Sequence, residues 1–452
     1  MTDNLHTAPP GSPWKEYEKV GFRFFFLYFL IQAFPLDPKY YGELFSLPWG
    51  KLRYQDIFTL AHYTPRFFGP VPTFADWGVV ILLAILGAGI WTAADKGKAK
   101  SYDNLYYWIR AIVRYRLAIG LLAYGFIKLY PLQSPFPSLS NLNTHYGDFT
   151  RWKLFSLSLG IVPSYEAFLG GVEIVAALLL LFRKTAAIGA LVVVFFTGNV
   201  FMSNLAYEGG EYVYSAYLIG LAVFVLAFDI QRLTRLLVFQ EPTAPNTFKP
   251  VLRLPWQRYG RLGLKTLVFL FFVVVFGFRT RWGYHHDPYQ FPEAKGLAGA
   301  SGLYNVTLFK VGKDTLPYSP TDPIRWKNVV FERWATVSIA GNRPAVIDSE
   351  NTEKVTAVAD IDKTYELEGT SGRNYYNYGI DTVNHLLTLQ NKNVNDSTDK
   401  WVLQYTRPDT GRIILSGVNR NNDSVYVVLD RIDKKYLLEE AAKTGRNRGL
   451  KL

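Results

Sequence analysis

Apolar residues form long unbroken runs up to about residue 280 and short alternating runs after residue 300, so the chain changes period once. A helix needs roughly 20 apolar residues to cross the hydrocarbon core of a bilayer. Runs that approach or reach that length lie at about Val20 to Phe34, Trp77 to Ala94, Val113 to Tyr130, Val162 to Phe182, Thr185 to Leu205, Tyr212 to Asp229 and Leu262 to Phe278. They predict about seven transmembrane helices, of which the first is short and carries Arg23 near its start. The opening "MTDNLHTAPPGSP" lacks the basic-then-apolar order of a cleaved leader, so the first helix is expected to be an uncleaved anchor. After "FRTRWGYHHDPYQFPEAKG" the pattern shifts to period two in "LYNVTLFK" (303–310), "HLLTLQ" (385–390), "KWVLQYTR" (400–407), "RIILSGV" (412–418) and "SVYVVLDR" (424–431). Turn clusters such as "PDTG" and "NRNND" separate the last three, which predicts an antiparallel meander. The expected fold class is mainly α: a polytopic transmembrane helix bundle with a C-terminal antiparallel β-rich domain over 295–440, a sandwich or partly closed barrel.

Charge adds a direction to this picture. The clusters "DKGKAK" (95–100), "RK" (183–184) and the basic stretch from Arg232 to Lys265 all fall on one side of the predicted crossings. The positive-inside rule makes that side the cytoplasm, so seven crossings put the N-terminus inside and the β-rich domain outside. The chain has 452 residues and a formal net charge of +12, yet its cations flank apolar runs and form no single stripe. The expected partner is therefore membrane lipid and not nucleic acid. With no cysteine, the chain has no disulfide, thiolate metal site or thiol catalysis. No CxxCH, Walker A, GxGxxG or HExxH pattern occurs, so any electron carrier would be a lipid-soluble quinone or a partner's cofactor.

The candidate chemistry lies inside the apolar runs. In "LGGVEIVAALLLLF" the carboxylate of Glu173 sits near mid-span, where insertion scales put the cost of a charge at roughly 2.5–3.5 kcal/mol. Lys128, about three residues before Pro131, lies roughly 5 Å below the outer surface, and Glu166 on the following helix lies at a similar depth. Glu173 falls roughly 10 Å deeper, so Glu166 is the expected partner of Lys128. Asn199 and Asn204, with Tyr214, Ser215 and Tyr217, complete a polar cluster opening outward with Glu173 at its base. Two readings stand: a network that fixes helix packing, or a pocket in which Glu173 handles a proton or a polar head group. His285 and His286 beside Asp287 could recruit His62 or His145 to a metal, but an interfacial aromatic belt with Trp282 and Tyr284 is the simpler reading, and no metal is expected. "DIFTLAHYTPRFFGP" (56–70) is expected either to lie in the interface, with Phe58, Leu60, Phe67 and Phe68 facing lipid, or to cap the cluster as a lid.

The stretches "RLAIGLLAYGFIKLY" and "LGIVPSYEAFLGGVEIVAALLLLFRKTAAIGALVVV" resemble the DoxX superfamily of bacterial four-helix membrane proteins. Arg116, Gly120, Gly125, Lys128, Gly170 and Glu173 carry the resemblance, which covers residues 113 to 230. It implies a DoxX-like four-helix core in a bacterial inner membrane, with the β-rich domain periplasmic. Some members do membrane redox work, including a thiosulfate:quinone oxidoreductase subunit, and distant relatives have assembly or cargo roles. The expected domains are 1–112 with N-terminal helices and an outer loop, the core at 113–230, a basic loop and last helix at 231–294, and the periplasmic domain and tail at 295–452. Taken with the polar cluster read from the residues, this makes Glu173, Lys128 and Glu166 the candidate catalytic residues, and Asn199, Asn204, Tyr214 and Tyr217 would line a quinone. The rival expectation is a non-enzymatic scaffold or envelope assembly factor whose outer domain binds a periplasmic protein or lipid.

Overall fold

The computed structural model describes residues 14–444 except 96, 245–247, 249, 251–253, 288, 344–345, 349–350, 352–353 and 420–421, together with all but the side chain of Lys39. In chain order its helices are α1 (Glu16–Ala33), α2 (Pro38–Ser46), α3 (Tyr54–Ala61), α4 (Phe74–Asp95), α5 (Asp103–Leu129), α6 (Leu139–Leu142), α7 (Arg151–Gly160), α8 (Pro163–Leu181), α9 (Ala186–Tyr207), α10 (Tyr212–Ala227), α11 (Ile230–Leu237), α12 (Pro255–His286) and α13 (Leu437–Thr444). The chain forms two compact units, one of residues 1–130 with 167–283 and one of residues 131–166 with 284–452.

In the helical unit, α4, α8, α9 and α12 are long and apolar enough to cross a membrane, and α10 with α11 makes a fifth if that pair, bent by 76°, is one span. These helices make the chain compatible with a membrane protein. The charged helices α1 and α5 are held by pairing. Arg23, fully buried on α1, bonds Asp95 at 2.7 Å, Thr92 at 2.9 Å and Tyr102, tying α1 to the end of α4 and the start of α5. Arg110 on α5 bonds Asp229 after α10. The α4 N-terminus begins at a capped turn, where buried Asp76 accepts the amides of Phe67, Phe68 and Thr73 and the Thr73 hydroxyl. The bond from Thr73 closes the helix start, and those from Phe67 and Phe68 tie the preceding loop to it.

The second unit is a β-barrel. Its strands are β1 (Gly302–Val311), β2 (Asp314–Thr315), β3 (Asn328–Phe331), β4 (Thr336–Ala340), β5 (Arg373–Asp381), β6 (Leu386–Asn391), β7 (Lys400–Thr406), β8 (Arg412–Val418) and β9 (Ser424–Ile432). All described pairings are antiparallel, and β1 pairs with β9 from Leu303↔Ile432 to Val311↔Val425, which closes eight strands into a barrel with β2 as a short flap on β1. Strict alternation along β7 turns Trp401, Leu403 and Tyr405 inward. With Tyr304, Phe309 and Phe331 they fill the interior, as expected at eight strands, where side chains just fit.

The five expected strands correspond to β1, β6, β7, β8 and β9, whereas β3, β4 and β5 carry no clear alternation. The cause is a second layer. Residues 131–166, with 131–161 expected as an outer loop of the four-helix core and the rest as the start of a crossing, fold with the barrel. The β4 strand is buried at every position, and Ser338 on it bonds Ser140 at 2.8 Å. Buried Glu332 accepts the amides of Leu139 and Ser140 and the Ser140 hydroxyl. Arg373 donates to Asn143 O at 3.2 Å, and Phe149 bridges to Thr370. Covered on both faces, these strands lose the polar-out half of the period. Lys153 on α7 is also buried, its ammonium donating to Tyr365 O and lying 3.6 Å from the Tyr365 ring centroid. Burial lowers its amine to about 8, although Glu368 and Glu366 favour the charged form.

Candidate functional site

The site is built where α5 and α8 touch backbone to backbone. A Cβ on Gly170 would enter the backbone of Leu129 and Gly125, and one on Gly125 would meet Ile174 at 2.9 Å and the Glu173 Cβ at 3.4 Å. Two glycines therefore permit the crossing. One turn from it on α8, Glu173 meets the Lys128 ammonium at 2.6 Å, with both side chains buried. This corrects the expected pairing of Lys128 with Glu166. Helix contact is so close that the long Lys128 side chain reaches down past Gly170 to the deeper carboxylate. Glu166 belongs to the other unit, where it is buried and accepts the Ser134 amide at 3.0 Å. Lys128 uses one oxygen of Glu173, and the second, Glu173 Oε2, is buried with no hydrogen-bond partner among the described residues.

A second cluster continues along α5. Arg116, buried, donates to the carbonyls of Ala61 and Tyr63 and to the Tyr217 hydroxyl at 3.1 Å. Tyr217 in turn donates to Gln32 O at 2.8 Å. Tyr214 donates to Gly120 O at 3.2 Å, and its ring lies 4.0 Å from that of His62. His62 Nε2 faces Glu211 at 3.2 Å and Tyr124 at 3.5 Å. Tyr124 links the two clusters, because the Lys128 ammonium lies 5.4 Å from its ring centroid. The α3 helix lies along α5, with Ala61 beside Arg116 and Phe58 packed on both His62 and Tyr124. Helical spacing puts Gln55 on the same face as Phe58 and His62, and its amide oxygen and nitrogen are both buried without partners among the described residues.

Of the expected residues, Lys128, Glu173, Tyr214 and Tyr217 are brought together. Asn204 accepts the Glu211 amide at 3.2 Å and holds the turn that presents Glu211, whereas Asn199 is exposed on α9. His62, Glu211, Arg116, Gln55 and Gln32 join them. The segment 56–70 divides between its two expected placements: Phe58 and Leu60 are buried over the cluster, and Phe67 and Phe68 are exposed. Among the described residues no three His, Asp or Glu side chains stand together as a metal site would require.

Beside this network runs an apolar groove of about 690 Å³, lined by Phe22, Phe25 and Phe29 of α1, Trp77 of α4, and Leu221 and Phe224 of α10. Trp14, Glu18 and Ala227 line one end, and Gln32 and Tyr217 line the other. Tyr217 therefore belongs both to the groove and to the Arg116 network. Gln32 donates to the Tyr28 hydroxyl at 3.2 Å, and its oxygen Oε1 is buried without a partner among the described residues. No protein-family model, curated protein or solved structure matches this chain. The chemistry of the site therefore rests on its residues.

Proposed function

We propose that the chain is a DoxX-like protein of a bacterial inner membrane, with seven crossings, a cytoplasmic N-terminus and a periplasmic barrel, and that its buried polar network supports quinone-linked redox chemistry. One observation supports this reading above the others: an apolar groove sized for a lipid chain ends on Gln32 and Tyr217, the residues that join it to the charged network. Such a site is mostly apolar with a few convergent polar groups, as ligand pockets are.

The residues present fit a quinone ring and its tail. Phe22, Phe25, Phe29 and Phe224 would hold the apolar chain. Gln32 Oε1 has an open acceptor for a ring hydroxyl, and the Tyr28 and Tyr217 hydroxyls stand at the same end. A quinol held there would supply two electrons and two protons, with a partner's cofactor as the electron acceptor. Arg116 fixes the Tyr217 hydroxyl from behind. Behind Tyr217, the Tyr214 ring packs between Tyr217 and His62, His62 faces Glu211 and Tyr124, and the Lys128 and Glu173 pair lies beyond the Tyr124 ring. Glu173 Oε2, with its lone pairs unused, is the site for an incoming proton.

Purified protein should carry bound quinone and reduce an artificial acceptor with quinol, and Glu173→Gln should lower that turnover about 10²- to 10⁴-fold, the usual range for a proton-transfer group. Absence of both quinone and transfer, with Glu173→Gln indistinguishable from wild type in cells, would overturn the proposal. The scaffold reading also has support in a cavity of about 260 Å³ at one end of the barrel, where Trp326 and Trp401 flank Arg343 and buried Asp399. In-cell crosslinking from residues 295–440 separates the two: a stoichiometric protein partner favours the scaffold.

A further inference from the structure

A different part of the helical unit gathers cations around a buried guanidinium. Arg114, three turns before Gly125 on α5, is buried, and its Nε has no hydrogen-bond partner among the described residues. Its electrostatic neighbours are Tyr115, with which it is hydrogen-bonded, Tyr107 and Arg183 of the α8–α9 turn. Those of Lys265 on α12 are Arg261 and Arg114, and Arg261 also acts on Tyr115. Four cations thus converge from three elements, and among the described residues the strongest electrostatic influences on Arg114 and Lys265 come from tyrosines and other cations, not from carboxylates. The nearby Asp229 is already bonded to Arg110 and faces Arg232 at 3.7 Å.

Helix register places this cluster. Gly277 packs against Phe126, so α12 and α5 lie side by side. Lys265 precedes Gly277 by the same twelve residues that separate Arg114 from Phe126, which sets the two cations level. Arg183 follows Gly170 along antiparallel α8 by nearly the same distance. The cluster therefore stands about 20 Å along α5 from the Lys128 and Glu173 pair, at the turn where α8 leaves its apolar run. A buried guanidinium with an open donor, ringed by like charges, is unfavourable unless an anion joins it.

We propose that Arg114, Arg183, Arg261 and Lys265 form a binding site for the phosphodiester headgroup of an anionic phospholipid. The position favours a lipid over a free anion. Basic pockets between helices at the ends of membrane spans take such headgroups, and the flanking residues Leu262, Leu264 and Leu267 of α12 are exposed for acyl-chain contact. This site does not depend on the quinone reading.

The test uses the full chain, purified in zwitterionic detergent and titrated with short-chain phosphatidylglycerol, phosphatidylcholine or inorganic phosphate while its thermal midpoint is followed. Phosphatidylglycerol should raise the midpoint where phosphatidylcholine and phosphate at equal concentration do not. Arg183→Gln with Lys265→Gln should weaken the apparent affinity for phosphatidylglycerol about fivefold per cation removed, with the unliganded midpoint unchanged. If the double variant is destabilised, Lys265→Gln alone, at an exposed position, serves instead. The proposal is overturned by a phosphatidylcholine shift equal to that of phosphatidylglycerol, by phosphate alone giving the full shift, by no shift at all, or by variants that bind phosphatidylglycerol as wild type does.

Discussion

At the scale of single residues, the closest coupling in the site is the contact of Lys128 with Glu173 at 2.6 Å. Removing one partner of a buried ion pair leaves the other charge uncompensated and costs about 3–5 kcal/mol, whereas replacing both with apolar groups costs far less. Lys128→Met is therefore expected to lower the unfolding midpoint in detergent more than the double variant Lys128→Met with Glu173→Leu. A double variant at least as unstable as the single one would contradict the pairing. Gly170→Ala tests the crossing beneath it. The added methyl meets backbone that cannot rotate away, so α5 and α8 must separate and the ion pair should be lost with them. Lys128, Glu173, Tyr214 and Tyr217 were legible in the sequence because a polar residue within an apolar run stands out. His62, Glu211 and Gln55 were not, because they lie between runs and only the packing of α3 and the α9–α10 turn brings them to α5.

At the scale of elements, α7 carries a lysine with no access to water, and its ionisation links folding to pH. Burial lowers the Lys153 amine to about 8 from its ordinary 10.5. Between those values the unfolded chain holds a proton that the folded unit has released, so the contribution of Lys153 to stability rises with pH from about 8 towards 10.5 and is flat below 8. The β unit should become harder to melt between pH 8 and 9.5, and Lys153→Met should remove most of that rise. An equal rise in the variant would assign it to another group. The same layer explains which strands could be read beforehand. β7, β8 and β9 face water on one side and show period two. β4, sandwiched between the barrel interior and the segment at 138–143, shows none. Depth estimates failed for Lys128 for a related reason: they fix a Cα level but not how far a long side chain reaches across a glycine contact.

At the scale of the whole molecule, the β unit is assembled from two stretches separated by a large part of the helical unit. A fragment beginning at residue 284 would leave Glu332, Ser338 and Arg373, buried in the whole unit, without their partners Ser140 and Asn143. It is expected to unfold without a cooperative transition, while the same fragment joined to 131–166 through a flexible linker should show one, with near-ultraviolet circular dichroism from its packed tyrosines. Cooperative unfolding of the shorter fragment alone would show that the second layer is dispensable. The division of the chain into apolar and alternating halves was plain from the pattern of residues, but the membership of 131–166 was not, since its ties to the barrel join residues some 200 positions apart and leave no periodic pattern.

The pairing of β1 with β9 also imposes a timetable on biosynthesis. The barrel cannot close until Ile432 has been made, and residues 131–166 leave the ribosome far earlier. At the usual 5–20 residues per second the gap lasts some 15 to 50 s. Throughout that interval Lys153 and Ser140 have been synthesised but Tyr365 and Ser338, or the closed sheet that carries them, have not been completed. A chaperone that shields this early segment would therefore act before β1 can find β9 and the barrel can close.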